Sequence, residues 1–147
     1  RQDILALQVI SLFQKIFKSC DLDLYVMPYS CISNRTGTEK LLGGIIEVVP
    51  NSTSRDQLGK AYEINLHEYF SKDTEVSQAR IQDSGLNFIN SLAAYGVVSY
   101  ILQIKDRHNG NILVDDLGHL IHIDFGFIYD WTPGKDTKFE AAEFKLS

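Results

Sequence analysis

The segment KDRHNGNILVDDLGHLIHIDFGF, Lys105 to Phe127, constrains this chain more than any other. Asp106, Arg107, His108, Asn109 and Asn111 crowd into one short stretch, and two apolar runs follow on either side of Asp115-Asp116-Leu117-Gly118. Short apolar runs flanking such a turn predict a β-hairpin. With those four residues as the turn, Val114 faces His119, so Asn111 pairs with His122 and Asn109 with Asp124. That register returns Asp124 to the polar cluster, within reach of Asn111. One carboxylate and one carboxamide oxygen suit Mg²⁺, a cation that keeps several waters and completes its shell with substrate phosphates. Gly126 is expected to take a positive φ, turning the chain sharply and leaving the Asp124 carboxylate at the strand end.

Upstream, Asp106 and His108 are both candidate proton acceptors for a hydroxyl nucleophile. An imidazole with an unperturbed pKa near 6.5 can exchange a proton near neutrality, whereas a carboxyl group near 3.9 is the weaker base and can orient its neighbours. Asp, Asn and Gly are also common turn residues, so "HNGN" alone reads as a solvated loop. The order of parts decides against that reading. An apolar helix, a loop rich in acids and amides, a hairpin and then Asp-Phe-Gly reproduce the layout of phosphoryl-transfer sites.

The rest of the chain predicts a soluble α+β domain. Its 147 residues are 44% hydrophobic and 22% charged, compatible with one core. The net charge of -5 argues against a nucleic-acid partner, which would require clustered Lys and Arg. Cys20 and Cys31 lack metal-ligand spacing, and the longest apolar run, Leu92 to Ile104, is too short to span a bilayer. Leu5, Val9, Leu12, Phe13 and Ile16 predict an amphipathic helix over Ile4 to Lys18 with these residues on its buried face, and Asp3 reads from position as its N-cap. "LDLYVMPYSCI" reads as a strand interrupted by Pro28, "NRTGTEK" as a turn and "LLGGIIEVV" as a second strand ended by Pro50, together a β-meander edge. Ser54 and Gln57 form a capping-box pattern for a short helix. Asn87 to Gln103 is apolar nearly all round, as expected of a buried helix. His119 and His122 fall on opposite strand faces and read as packing or surface residues, and "HEYF" at His67 lacks the second His of a zinc helix. The chain begins with Arg1 and ends in "FEAAEFKLS", which reads as a piece of a longer protein.

These motifs resemble the phosphoinositide 3- and 4-kinase family. The resemblance runs through "RQDILALQ", "LDLYVMPY", "GGIIEVVP", "TSRDQLG", "LQIKDRHNGN", "HIDFGF" and "FEAAEFKLS", and within the family it leans to the type III alpha 4-kinases. It implies an incomplete bilobal protein-kinase-like fold, with residues of about 1–50 forming the end of the N-lobe and the hinge and about 51–147 the first part of the C-lobe. It implies ATP and Mg²⁺ as cofactors, with Asn111 and Asp124 holding the metal. His108, supported by Asp106, would deprotonate an inositol hydroxyl, and Arg107 would be structural. Glu47, Val48 and Val49 would meet adenine through their backbone, Tyr29 would line the nucleotide pocket, and Asp3 would face an ATP-binding lysine. That lysine and the phosphate-covering loop precede "RQD" in the family, so the isolated piece is expected to be inactive. Lys135, Lys138 and Lys145 of the activation segment are balanced by Asp130, Asp136, Glu140 and Glu143, which suits unphosphorylated phosphatidylinositol at a membrane surface better than a polyphosphorylated headgroup. Trp131 and Phe139 read either as membrane contacts or as packing residues. The resemblance also implies a cytoplasmic enzyme peripheral to the plasma membrane, with regulatory protein partners in the parent. The alternatives are a phosphatidylinositol 3-kinase, a protein kinase of the same superfamily, or a non-catalytic scaffold.

Overall fold

Helix α1, Gln2–Ser19, begins two residues before the apolar periodicity suggests and buries a different stripe. Ala6, Leu7, Ile10 and Phe17 enter the core, while Leu5, Leu12 and Ile16, expected inside, are exposed. Apolar residues cover most of the circumference of "ILALQVISLFQKIF", so periodicity permits more than one inward face. Ala6, Leu7, Ile10 and Phe17 belong to one buried cluster with Val26, Tyr29 and Phe125, and this packing selects the inward face. The computed structural model describes residues 2–36, 41–62, 69, 78–129 and 144.

After Asp21, whose left-handed φ of 54° closes the helix, Leu22 to Ser30 forms no strand, contrary to the sequence expectation. Side chains satisfy the backbone here in place of a ladder. The Met27 N–H donates to the Tyr95 hydroxyl at 3.2 Å, and the Gln14 amide donates to the Val26 carbonyl at 3.1 Å. Pro28 has no N–H to offer. Strands β1, Cys31–Thr36, and β2, Leu41–Ile46, then form an antiparallel hairpin with Cys31 opposite Ile46. The expected meander is thus a two-stranded hairpin, and Asn34 to Thr36, read as part of a turn, belong to β1.

Strand β3, Ser52–Ser54, leads into helix α2, Arg55–Tyr62. The capping box forms as the spacing predicts: Gln57 N–H donates to Ser54 Oγ at 3.2 Å, and Ser54 N–H to Gln57 Oε1 at 3.4 Å. Helix α3, Gln78–Leu102, is longer than expected and buries one side only. Ser84, Ser91, Ala94, Tyr95, Val98, Ser99 and Leu102 are buried, while Leu86, Ile89, Val97, Tyr100 and Ile101 are exposed. The apolar composition therefore misrepresents its exposure among the described residues.

Strands β4, Ile112–Asp115, and β5, Leu120–His122, complete an antiparallel sheet in the order β3-β4-β5. Their register is one residue away from the expected one: Ile112 faces His122, and Val114 faces Leu120. The reason lies in the loop. Asp115 itself pairs with His119, its Oδ1 accepting the N–H groups of Leu117 and His119 at 3.0 and 2.7 Å. Asp116, Leu117 and Gly118 thus form a three-residue loop closed by a left-handed glycine, φ 92°. Helix α3 presses on this loop: a Cβ on Gly118 would stand 2.5 Å from the Ser84 carbonyl, and the Asn87 amide donates to the Leu117 carbonyl at 2.9 Å. Ser91 Oγ receives the Leu120 N–H at 2.8 Å, tying β5 to the same helix.

Both histidines of the hairpin pack, as their opposite faces suggest. His119 stacks on Tyr25 with ring centroids 3.8 Å apart and meets Asp115 at 2.9 Å, while His122 lies buried against Tyr95 at 4.7 Å. Burial, helped by the charge of Arg107, pushes His122 down to about 3 from its ordinary 6.5, and its Nδ1 has no partner. The unfolded chain binds the extra proton first, so stability should fall as pH drops from about 6.5 toward 3. Replacing His122→Phe keeps a stacked ring and removes the titration. Thermal unfolding of the variant should show a flatter pH dependence across that window; an equal slope would place the acid sensitivity elsewhere.

Candidate active site

Two polar segments, one after α3 and one after β5, are held side by side by backbone hydrogen bonds. Helix α3 ends with Gln103 in the left-handed region, φ 49°, and the Ile104 N–H reaches back to the Ser99 carbonyl at 3.0 Å. The Lys105 N–H donates to the Phe127 carbonyl at 2.8 Å, and the Ile123 N–H donates to the Asn111 carbonyl at 3.1 Å. Residues 106–110 and 124–126 therefore share one edge of the molecule. Asn111 faces Ile123 rather than His122, and Asn109 opens a 3-10 turn, Asn109–Asn111, instead of pairing with Asp124.

The sharp turn falls on Asp124 itself, φ 58°, and not on Gly126. Gly126 has another use: a Cβ there would come 3.3 Å from Asp124 Oδ1, which instead accepts the Gly126 N–H at 3.3 Å. Three side chains hold this backbone. Arg107 donates from Nη1 to the Ile123 carbonyl at 2.8 Å, from Nη2 to the Asp124 carbonyl, and from Nε to the Lys105 carbonyl at 3.0 Å. Its guanidinium lies over the Phe125 ring at 5.9 Å, and burial pulls its pKa down against the opposing pull of Asp124 and Asp106. The Tyr29 hydroxyl accepts the Asp124 N–H at 3.3 Å, and Asp3 Oδ1 accepts the Phe125 N–H at 2.9 Å. Asp3 is thus no N-cap: it lies inside α1 and reaches across to the second polar segment. Burial first, then the Asp3 and Asp124 carboxylates, push Tyr29 up to about 12 against the hydrogen bond from Asp124, so its proton stays on at neutral pH.

Asp106 also adopts a left-handed conformation, φ 57°. Its carbonyl accepts the Asn111 Nδ2 at 3.1 Å, which orients the buried Asn111 amide and turns its oxygen away from that contact. Asn111 Oδ1 and the Asp124 carboxylate are hard oxygen donors, and they fit a hard divalent cation. His108 caps the 3-10 turn, accepting the Gly110 N–H on Nδ1 at 3.1 Å, while its Nε2 stands 3.9 Å from Asp106 Oδ2.

Beside these segments lies a cleft of about 510 Å³ whose walls include Asp3, Tyr29, Glu47, Val48, Val49 and Asp124, all six singled out from the sequence. Ile46, Ser52, Ser54, Gln57, Leu113 and Ile123 also line it and were not anticipated. Leu113 and Ile123 sit on either side of the hairpin, and only the correct register reveals that they face one cavity. Along the rim, the Glu47 N–H pairs with the Ser30 carbonyl at 2.8 Å, and Glu47 Oε2 accepts the Ser30 N–H at 2.7 Å; hydrogen bonding from Ser30 to the carboxylate draws the Glu47 carboxyl below its usual range. The Val49 carbonyl accepts Ser52 Oγ at 2.9 Å. The Glu47 carbonyl and the Val49 N–H have no partner among the described residues, and neither have the N–H and carbonyl of the intervening Val48, which is 84% exposed on this extended segment. Asp106, Arg107, His108 and Asn111 stand on the adjoining loop, joined to the cleft through Arg107. Lys135, Lys138 and Lys145, like Trp131, Phe139 and His67, lie outside the described residues.

A family profile described as "Phosphatidylinositol 3- and 4-kinase" matches residues 1–146. Phosphatidylinositol 4-kinase STT4 of Saccharomyces cerevisiae is 53% identical over 148 residues, covering all of this chain and 8% of the yeast protein. Phosphatidylinositol 4-kinase stt4 of Schizosaccharomyces pombe is 48% identical, again over all of this chain and 8% of its own length. Phosphatidylinositol 4-kinase alpha 1 of Arabidopsis thaliana is 51% identical over all of this chain and 7% of its own length. This chain therefore spans less than a tenth of the length of these relatives, yet it matches them from end to end. The profile match over residues 1–146 and relatives 48–53% identical over the whole chain place it in the phosphatidylinositol 3- and 4-kinase family.

Proposed function

We propose that the protein containing this chain transfers the γ-phosphate of ATP to the 4-hydroxyl of phosphatidylinositol. The observation that carries this reading is one arrangement: an apolar cleft with a free carbonyl and N–H on one rim and Asp124 at its inner wall, clamped to the Asp106–Asn111 loop by Arg107. The Glu47 carbonyl and the Val49 N–H match the amino group and ring nitrogen of an adenine edge, and Tyr29, Leu113 and Ile123 supply apolar walls for the base. Asp124 and Asn111 would hold Mg²⁺ against the nucleotide phosphates, where the ion supplies charge neutralisation for the transferred group. Asp106 and His108, 3.9 Å apart, would flank an incoming hydroxyl, and Arg107, through its bond to the Asp124 carbonyl, would hold the metal-binding turn in place.

In this reading, residues of about 1–50 are the end of an N-lobe and the hinge, and about 51–147 open a C-lobe in a bilobal kinase fold. The β1–β2 hairpin feeding directly into residues 47–49 supports the boundary. The activation segment bearing Lys135, Lys138 and Lys145 would meet the lipid, and its balanced charge favours unphosphorylated phosphatidylinositol. The enzyme would act in the cytoplasm at a membrane surface, with regulatory protein partners. The printed names of the relatives support the 4-hydroxyl as acceptor.

Incubating the full-length protein with Mg-ATP and phosphatidylinositol vesicles should yield phosphatidylinositol 4-phosphate, identified by chromatographic separation of the headgroup isomers. A 3-phosphate product would move the protein to the 3-kinase branch, and phosphorylated protein without lipid product would remove the lipid assignment. Substituting Asp124→Asn should lower kcat by roughly 10²–10³-fold with circular dichroism unchanged, the scale of losing one preorganised electrostatic group. Near-normal turnover in that variant would take Asp124 out of the metal site.

A further inference from the structure

We propose that Tyr95 is a positioning residue for the nucleotide: from helix α3 it sets the segment of residues 22–30, whose Tyr29 walls the cleft. This rests on the phosphotransfer reading above and adds to it a determinant of nucleotide affinity that lies outside the cleft.

That segment links α1 to β1 without strand pairing. Its start is tied back to α1, the Leu22 N–H donating to the Phe17 carbonyl at 2.9 Å, and its end, Ser30, pairs with Glu47. Between these ends side chains serve the main chain. The Gln14 amide on the Val26 carbonyl comes from α1, the element that leads into the segment, so it moves with the segment. Tyr95 comes from α3, which also holds the β4–β5 hairpin. Its hydroxyl accepts the Met27 N–H at 3.2 Å and donates to the Met27 carbonyl at 3.5 Å. One phenol thus serves both main-chain groups of one residue, as a paired strand residue would. Neither group has another partner among the described residues.

The phenol is itself held in place. Tyr95 is fully buried and its ring stacks on His122, centroids 4.7 Å apart and planes 7° from parallel, which fixes where the hydroxyl points. Burial also pushes its pKa up, so the proton shared with the Met27 carbonyl stays on at neutral pH. Every second residue from 25 to 29 meets the body formed by α3 and the hairpin. Tyr25 stacks on His119 at 3.8 Å, Met27 bonds to Tyr95, and the Tyr29 hydroxyl accepts the Asp124 N–H at 3.3 Å. Met27 and Tyr29 are joined through Pro28, whose ring fixes φ at about −65°, so a displacement at Met27 is carried to Tyr29 rather than absorbed. The remaining tie, Asn90 to Asp23 at 3.0 Å, lies at the surface, where water competes for both groups.

The test is Tyr95→Phe in the full-length protein, a substitution that keeps the stacked ring and removes both bonds to Met27. The Kd for Mg-ADP and the KM for ATP should rise roughly 3–10-fold, the scale of one lost hydrogen bond, with kcat and the KM for phosphatidylinositol within about twofold of the parent. Hydrogen exchange should quicken at the Met27 amide and its neighbours in residues 22–30, and stay unchanged in α3 and the β4–β5 hairpin. Ser99→Ala removes a buried hydroxyl without a partner from the same helix and should leave both nucleotide constants at the parent values. Three results overturn the assignment while leaving the kinase reading in place: an unchanged Kd for Mg-ADP in Tyr95→Phe, an equal rise in Ser99→Ala, or a fall in kcat with faster exchange throughout. If the parent binds Mg-ADP and phosphorylates no lipid, the lipid reading falls and the Kd ratio of variant to parent still decides the role of Tyr95. A parent that binds no nucleotide overturns both.

Discussion

The left-handed backbone at Asp124 is the constraint around which the site is organised. A non-glycine residue in that region stores of order 1–3 kcal/mol of strain. Against it stand hydrogen bonds from three separate parts of the chain: Arg107 to the carbonyls of Ile123 and Asp124, Tyr29 to the Asp124 N–H, and Asp3 to the Phe125 N–H. Bonds that involve a charged partner contribute about 1.5–3 kcal/mol each, so Arg107 and Asp3 alone outweigh the strain. Full burial of Phe125 adds about 1.5–3 kcal/mol that the turn could not keep if it relaxed. The conformation is over-determined, and its result is Asp124 held at the wall of the cleft.

That turn is useful only if the hairpin delivers it in the correct phase, and helix α3 enforces the phase. The Ser91 hydroxyl holds the Leu120 N–H, the Asn87 amide holds the Leu117 carbonyl, and the Ser84 backbone leaves no room for a side chain at Gly118. A slip by one residue would move each side chain of β5 to the other face of the sheet. Ile121 would leave the core, His122 would lose its stacking on Tyr95, and Ile123 would turn away from the cleft. Small polar residues on an otherwise apolar helix are therefore what align the hairpin with the loop.

Local chemistry was legible in the sequence wherever the determining contacts were also local. Ser54 and Gln57 are three residues apart and cap α2 as their spacing says. That the loop of residues 106–110 lies alongside residues 124–126 followed from a hairpin that any reading of "DDLG" would supply. The register did not, because Asp115 spends its carboxylate on the loop N–H groups and so moves from the turn into the ladder. The left-handed residue was misplaced for a related reason: glycine is the safer choice on intrinsic grounds, and only side chains distant in sequence, Arg107, Asp3 and Tyr29, make Asp124 tolerable there. Likewise the inward face of α1 was set by Phe125, more than a hundred residues later, which no periodicity can contain.

These long-range contacts also explain why the cleft and the Asp106–Asn111 loop form one mechanical unit. Asp3 and Tyr29 line the cleft and at the same time receive the N–H groups of Phe125 and Asp124. Withdrawing α1 would expose the cleft wall and orphan the Phe125 N–H in a single movement, since that donor is enclosed by the same packing that buries the ring. Arg107 then carries the constraint into the Asp106–Asn111 loop, because the side chain that grips the Asp124 carbonyl also grips the Lys105 carbonyl behind it. The position of α1, the backbone at Asp124 and the seat of the Asp106–Asn111 loop cannot be adjusted independently, and in the proposed reading a cleft that binds nucleotide well would for that reason already be arranged for transfer.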